Sequence, residues 1–498
     1  MKPNRNTEPN AYMEDKKRSD DKKRYIVAFE IGSSKIRGAV GIVDRSGVVD
    51  VVATEEEKLI DKVRYGSIEN TDVSEALQRV ADRLEGYKRV APRIITGAYV
   101  SIGGRSVLSR KVDVDLTLPA ETEITRPIIA ELMQKAAATI DQDRDVVDVV
   151  PVRFTVDDKA QTNPVGTYGD KISARMTVIS CDPKIKRMLR RVVHERAKFN
   201  IVGYVNRTLA EADMVLTDEE RRVGCMLVDF GAETTSVAIF KNGAAIYQAT
   251  LPIGSRNITI DLTTLNYTEE RAEEIKRVSG NALPNEGTMR KSSGIDGVDY
   301  TEINNYVHAR ADEIIANILA QMEYAGVRER DLGKGIVMVG GGARLRGFNE
   351  LLALASNLTV RQGSPNTSVR ISDGSIHGTD AVDVISILLD ASKHPSEEVC
   401  TEMPETESQE KEEEPDEQVS GYEKTYGSGS GNGKDKEVSR IGKLYGDDDD
   451  EDYDDRKPRK PKKPSSPKDP SKSGRSWMDR LQERISFIWN EKENADEE

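Results

Sequence analysis

The sequence predicts an α/β protein built on two similar domains that face each other. From Tyr25 to about Ala391, apolar strand-like runs alternate with helical patterns. Two segments about 200 residues apart, YIVAFEIGSSKIRGAVGIVDRSG and CMLVDFGAETTSVAIFKNG, repeat one grammar. A third, KGIVMVGGGARLRGFNELL, passes from an apolar strand through three glycines into a helix.

In chain order, residues 1–23 form a charged arm with no apolar stretch, which excludes a signal peptide and predicts disorder. The first repeat follows. Its apolar strand ends on a carboxylate, Glu30, then turns through Gly32, Ser33, Ser34 and Lys35 into a second strand. Glycine at such a corner lets the backbone approach an anion, the hydroxyls add donors, and the lysine adds a point charge. The second repeat offers Asp229, Gly231, Ala232, Glu233, Thr234 and Thr235 in the same order. Glu30 and Asp229, at strand ends beside anion-binding turns, suit a Mg²⁺ ion held largely through water.

Downstream, EERAEEIKRVSG sets Glu273 and Lys276 three residues apart on one helical face, a spacing that also describes an ordinary surface ion pair. The strand at 336–339 then enters Gly340, Gly341 and Gly342, where bare backbone offers a floor for a flat base or a phosphate.

Beyond residue 391 the composition collapses to Glu, Asp, Ser, Gly and Pro, too poor in apolar residues to offset the entropy of ordering. Residues 397–455 hold 22 acids against 6 bases, roughly −16, more than the whole-chain formal charge of −14. The folded part is therefore close to neutral, which argues against a nucleic-acid partner. Three isolated cysteines and four scattered histidines show neither disulfide nor zinc spacing and fit a reducing, cytoplasmic setting. No apolar run approaches the ~18 residues of a spanning helix, so any membrane contact is expected to be peripheral.

The tail ends in RSWMDRLQERISFIWNEKENADEE, which carries both tryptophans of the chain. At 100° per residue, Trp477, Met478, Leu481, Ile485, Ile488 and Trp489 share an arc of about 120°, with Arg480 and Arg484 along one edge. Such a stripe needs a partner: a lipid surface, a protein groove or the chain's own folded part. Tryptophans at both ends, flanking arginines and nine bases against one acid over residues 456–475 favour anionic lipid.

Taken in order, the two hairpins, the AEEIK helix and the triple glycine resemble the actin-like ATPase superfamily, and within it the bacterial cell-division FtsA family. VVPVRFTVDD…TNPVGTYGDKISARMTVIS is similar to the family's inserted subdomain, and TLAEADMVLTDEERRVGCMLVDFGAETT to its connecting helix and second hairpin. LPIGSRNITIDL and the terminal amphipathic helix complete the resemblance over residues 24–391 and the tail.

The resemblance implies an actin-like two-domain fold with a nucleotide cleft between the domains. Its implied divisions are the arm 1–23, a first domain over 24–95 and 179–221, the insert 96–178, and a second domain 222–391 whose smaller subdomain spans about 261–334. A disordered linker 392–474 and the membrane-targeting helix 475–491 follow. It implies ATP and Mg²⁺ as ligands, with Glu273 and Lys276 near ribose and adenine and Gly340, Gly341 and Gly342 beneath the nucleotide. It also implies self-assembly into filaments, recruitment of the C-terminal peptide of FtsZ by the smaller subdomain, further division proteins as partners, and a place on the cytoplasmic membrane face at the septum.

The chain departs from that family at three positions. Glu30 stands where Asp is usual, Glu233 brings a negative charge into the second hairpin, and Arg207 stands where related ATPases keep a water-orienting Glu or Gln. Hydrolysis is expected to be slow or absent. A small-molecule kinase or a chaperone-like ATPase of the same superfamily is the alternative; the first needs a catalytic Asp at an interdomain cleft, for which the sequence offers no convincing candidate outside the metal corners Glu30 and Asp229, the second a β-rich substrate domain where this chain has its tail.

Overall fold

The computed structural model describes residues 24–60, 62–283, 299–372, 380–394, 396 and 398–404. The arm 1–23, most of the linker and the terminal helix expected at 475–491, including Trp477, Met478, Arg480, Leu481, Arg484, Ile485, Ile488 and Trp489, lie outside them.

The chain opens with three antiparallel strands, β1 (Arg24–Ile31), β2 (Lys35–Val43) and β3 (Val49–Lys58). In β1 the run from Ile26 to Phe29 is buried on both faces, as its unbroken apolar sequence requires. Helix α1 (Val73–Glu85) presents Val73, Leu77, Val80 and Leu84 to that sheet, the i, i+3/i+4 stripe of an amphipathic helix. Strand β4 (Gly97–Ile102) then adds in parallel to β1.

Next come β5 (Leu108–Glu123), α2 (Arg126–Ala137), β6 (Asp145–Val156) and β7 (Tyr168–Cys181), an antiparallel set in the order β6-β7-β5 with its own apolar core around Ile129, Leu132, Phe154 and Met176. Strand β8 (Asn200–Asn206) returns to pair in parallel with β4 and runs straight into α3 (Arg207–Val215).

The second half repeats the first. Strands β9 (Cys225–Phe230), β10 (Thr235–Lys241) and β11 (Ala244–Leu251) form another antiparallel triplet. Helices α4 (Ser255–Thr263), α5 (Glu269–Ser279) and α6 (Tyr300–Ala325) follow. Asp299 caps α6 by accepting from the backbone N–H groups of Thr301 and Glu302, and Gly326 ends it at φ 75°. Strand β12 (Ile336–Val339) pairs in parallel with β9, α7 (Phe348–Ser356) crosses, and β13 (Val360–Gln362) pairs in parallel with β12. Finally β14 (Val369–Ile371) and α8 (Val382–Lys393) close the body.

One sheet has the order β8-β4-β1-β2-β3-β14. The other contains β6-β7-β5-β11-β10-β9-β12-β13, joined to the insert through the single pair Ala249–Leu108. The mixed α/β, two-domain actin-like architecture is therefore present, and α6 is the longest of the described helices.

Three boundaries move. Residues 97–102 were expected in the insert but form β4 of the first sheet, so the insert begins after Ile102. Strand β14 and helix α8, expected in the second domain, belong to the first: β14 pairs with β3, and Val384, Ile385 and Leu388 lie in the first domain's core. Apolar periodicity identifies a helix without saying which sheet it covers. The body also runs past residue 391, because Thr401–Glu402 pairs with Ile94–Ile95 and Cys400 is buried.

Candidate functional site

The two hairpins close with the same local bond. The Gly32 N–H donates to Lys35 O at 3.0 Å, and the Gly231 N–H donates to Thr234 O at 2.9 Å. A Cβ on Gly231 would sit 2.9 Å from that carbonyl, which is why the turn takes no side chain there. Helix α4 braces the second turn, Ser255 and Arg256 donating their backbone N–H groups to Gly231 O and Ala232 O at 3.0 and 2.7 Å.

Between the hairpins lies a cleft of about 1220 Å³. Its walls include Glu30, Gly32, Ser33, Ser34 and Lys35 on one side and Asp229, Gly231, Ala232 and Thr234 on the other, with Glu273, Lys276, Gly340, Gly341 and Gly342 completing it. Sequence-distant candidates thus converge on one space. Two do not join them. Thr235 is fully buried and gives its hydroxyl to Ile253 O at 2.8 Å, a bond that holds β10 to the segment before α4. Glu233 is absent from the lining: its carboxylate accepts the Tyr65 N–H and Arg256 Nη1, each at 2.9 Å. Its charge is spent between the domains rather than pointed into the cleft.

The three glycines differ in purpose. Gly340 has φ 88°, and a Cβ there would lie 2.5 Å from Asp229 Oδ1 and 2.6 Å from Phe230 O. A Cβ on Gly342 would strike the Phe230 ring at 2.7 Å. Gly341 has nothing within 4 Å. Two glycines serve the fold, and the middle one faces open space.

Lys276 is not the surface residue that its spacing also allowed. Only 6 % exposed, it donates to Glu273 Oε2 at 2.6 Å, Thr259 Oγ1 at 2.8 Å and Ser255 O at 3.0 Å. Burial holds its pKa below the usual lysine value, against the pull of Glu273. Lys35 donates to Glu56 Oε2 at 2.7 Å from the rim of the cleft.

Sequence reasoning missed much of the cleft floor. Gly103 and Gly104 after β4 line it, as do Arg37, Glu211, Arg256, Arg344 and Asp383. Asp383 takes Arg37 Nη1 on both oxygens at 2.7 Å. The signal for Gly103 and Gly104 was available: they follow an apolar strand, as the glycines of both hairpins do.

Arg207 decides the metal question. At the first position of α3, its Nη1 lies 2.9 Å from Glu30 Oε1 and its Nη2 lies 2.7 Å from Asp229 Oδ2. Both carboxylates are buried, which pushes their pKa values up, that of Glu30 to about 7, against the opposing pull of Arg207. Glu211, one turn along α3, lies 3.7 Å from Arg207 Nε and is also pushed upward by burial. The assignment of Glu30 and Asp229 to Mg²⁺ does not fit this arrangement. Each already gives an oxygen to a guanidinium, and like charges ~4 Å apart repel by roughly 4 kcal/mol per unit charge at an effective dielectric of about 20. Among the described residues no cluster of three His, Cys, Asp or Glu could hold a metal ion. No described helix is long and apolar enough to cross a membrane.

Comparison with known proteins agrees with this architecture. The family model described as "Cell division protein FtsA" matches residues 226–383, and that of the SHS2 domain inserted in FtsA matches residues 104–180. FtsA of Porphyromonas gingivalis is 31 % identical over 330 residues, covering 64 % of this chain and 68 % of the relative. FtsA of Escherichia coli is 24 % identical over 375 residues, covering 70 % and 86 %. Among solved structures, the PilM–PilN complex of type IV pilus biogenesis includes a chain of similar fold, with a TM-score of 0.54 at 14 % identity over 74 % of this chain and 98 % of that one. With its two matched hairpins and the insert at the family's position, the chain belongs to the FtsA family of cell division proteins.

Proposed function

We propose that the protein is a cell-division adaptor that binds ATP in the cleft, assembles into actin-like filaments and tethers FtsZ filaments to the inner face of the cytoplasmic membrane. The observation that carries the nucleotide reading is convergence: two identically closed glycine turns and the unobstructed Gly341 line one space. Backbone N–H groups of such turns cradle phosphate oxygens, and the open glycine accommodates a nucleoside on bare backbone. The pair of buried Lys276 and half-exposed Glu273 then stands at the ribose and base end.

The partners follow from the family. The smaller subdomain, around α6, receives the C-terminal peptide of FtsZ, other division proteins join the assembled ring, and the terminal tryptophan stripe grips anionic lipid. One short helix binds modestly, and filament formation multiplies it through effective concentration. Arg207 provides no proton acceptor, so bound nucleotide turns over slowly or not at all. The test is sedimentation of the full chain with anionic vesicles and FtsZ, with and without ATP. Co-pelleting of FtsZ with vesicles only when this protein is present is the expected result. Failure to bring FtsZ down under either condition sinks the adaptor reading.

A further inference from the structure

Where two carboxylates at facing strand ends invite a divalent ion, this chain has placed a side chain. Arg207 is pinned from both domains, by Glu30 Oε1 at 2.9 Å and Asp229 Oδ2 at 2.7 Å. It lines the cleft although its side chain is only 13 % exposed. Beside it the backbone is bare: a Cβ on Gly103 would lie 3.5 Å from Arg207 Cζ. The Nε of Arg207 is buried, makes no hydrogen bond among the described residues and lies 3.7 Å from Glu211 Oε1.

We propose that Arg207 is the cleft's resident cation, so that the nucleoside triphosphate is retained without a divalent metal. The inference rests on the nucleotide reading given above. A guanidinium keeps its charge throughout the accessible pH range, so Arg207 acts on the phosphates through that charge while its two Nη atoms hold Glu30 and Asp229. Its charge also cannot be removed by a chelator. The two carboxylates that would otherwise draw a metal are tied to it, one from each hairpin. Glu30, one methylene longer than Asp229, still reaches the same guanidinium. The positive charge that a metal-dependent site borrows from solution is here covalently part of α3.

The experiment is titration of the full chain with ATP by calorimetry, once with excess Mg²⁺ and once with excess EDTA. Dissociation constants agreeing within about 3-fold are expected, and a loss beyond about 10-fold on chelation overturns the proposal. Arg207→Gln should create a metal requirement, visible as at least about a 10-fold difference between the two conditions. Metal-independent binding by that variant would show that Arg207 is not the cation. If Arg207→Gln does not fold, Arg207→Lys, which keeps the charge, should bind ATP in EDTA; a metal requirement in the folded lysine variant counts against the proposal. Mn²⁺ added to the EDTA-treated and desalted protein, followed by electron paramagnetic resonance, should find no site that is lost on Glu30→Gln; a site lost in that variant overturns it. Binding in neither Mg²⁺ nor EDTA removes the nucleotide reading and this inference together, whereas binding in Mg²⁺ alone removes only the inference.

Discussion

Glu233 Oε2 accepts the backbone N–H of Tyr65 at 2.9 Å, joining the turn of the second hairpin to a loop of the first domain. The same carboxylate takes Arg256 Nη1 on its other oxygen, and Arg256 in turn reaches Glu269 Oε1 at 2.6 Å. Two side chains, Glu233 and Arg256, therefore tie the first domain, the second hairpin, α4 and α5 together beside the cleft. Glu233→Ala should leave the Tyr65 N–H without its acceptor and cost about 1–3 kcal/mol. Hydrogen exchange around residues 62–68 should accelerate while the sheet cores stay protected. Unchanged exchange there would show that the contact does not close the cleft.

The middle glycine separates fold from ligand. Gly341→Asp places a carboxylate in open space, so melting should be nearly unchanged while ATP binding measured by calorimetry disappears. Gly340→Ala and Gly342→Ala should instead destabilise. The first demands φ 88° of an alanine, and the second overlaps the Phe230 ring. Unchanged ATP affinity in folded Gly341→Asp would remove the cleft assignment.

Stability should fall as pH rises through neutrality. Burial, with a further push from Asp383 and against the pull of Arg207 and Arg37, holds the Glu30 pKa at about 7, above its ordinary 4.5. Between those values the folded chain keeps a proton that the unfolded chain has lost, so the contribution is complete below the unfolded value and vanishes above the folded one. Glu211, raised by burial and by Asp229, acts in the same direction. The melting temperature without nucleotide should therefore drop between about pH 5 and 7.5, by at most about 3 kcal/mol in free energy from Glu30. Glu30→Gln should flatten the profile; a variant with the same slope assigns the effect elsewhere.

A chain ending at Pro404 should match the full chain in melting, ATP binding and FtsZ-peptide binding. One ending at Ser392 should melt lower. It loses the Cys400 carbonyl that accepts from the Thr96 and Gly97 N–H groups at 3.0 and 3.2 Å, and the strand pair over Ile94–Ile95. Equal melting of the two would mean that this segment adds nothing to the body.

Deleting residues 476–490, or changing Trp477 and Trp489 to Glu, should release the protein from anionic vesicles and leave ATP binding intact. Arg480→Glu with Arg484→Glu should weaken attachment and reduce its salt sensitivity, since each base near an anionic surface contributes on the order of 1 kcal/mol. Continued pelleting of the deletion variant would point to a protein groove as the partner of the stripe.

What the sequence made legible was local. Both hairpins could be read from strand, carboxylate and glycine order, because each is closed by bonds within four residues. The residues that convert those hairpins into one site were harder to read. Glu233 carries the charge expected near phosphates, but its direction depends on an N–H 168 positions away. Arg207 stood at a position marked as unusual, yet nothing local told that it reaches both Glu30 and Asp229. Lys276 looked like half of a surface pair because its burial depends on α4 packing over it. Helix α8 shows the same limit at larger scale, since its apolar face fits either domain until the strands are assembled.

Arg24, at the start of β1, donates to the carbonyls of Ala391, Ser392 and His394 at the end of α8, and Tyr99 also donates to His394 O. The start of β1 and the end of α8 are thus tied together at one corner of the first domain. A mechanical pull on the tail would enter through the short Thr401–Glu402 pairing and meet this knot of side chains next. Load would pass first into β1 and α8, the two elements that also carry Glu30 and Asp383 to the cleft.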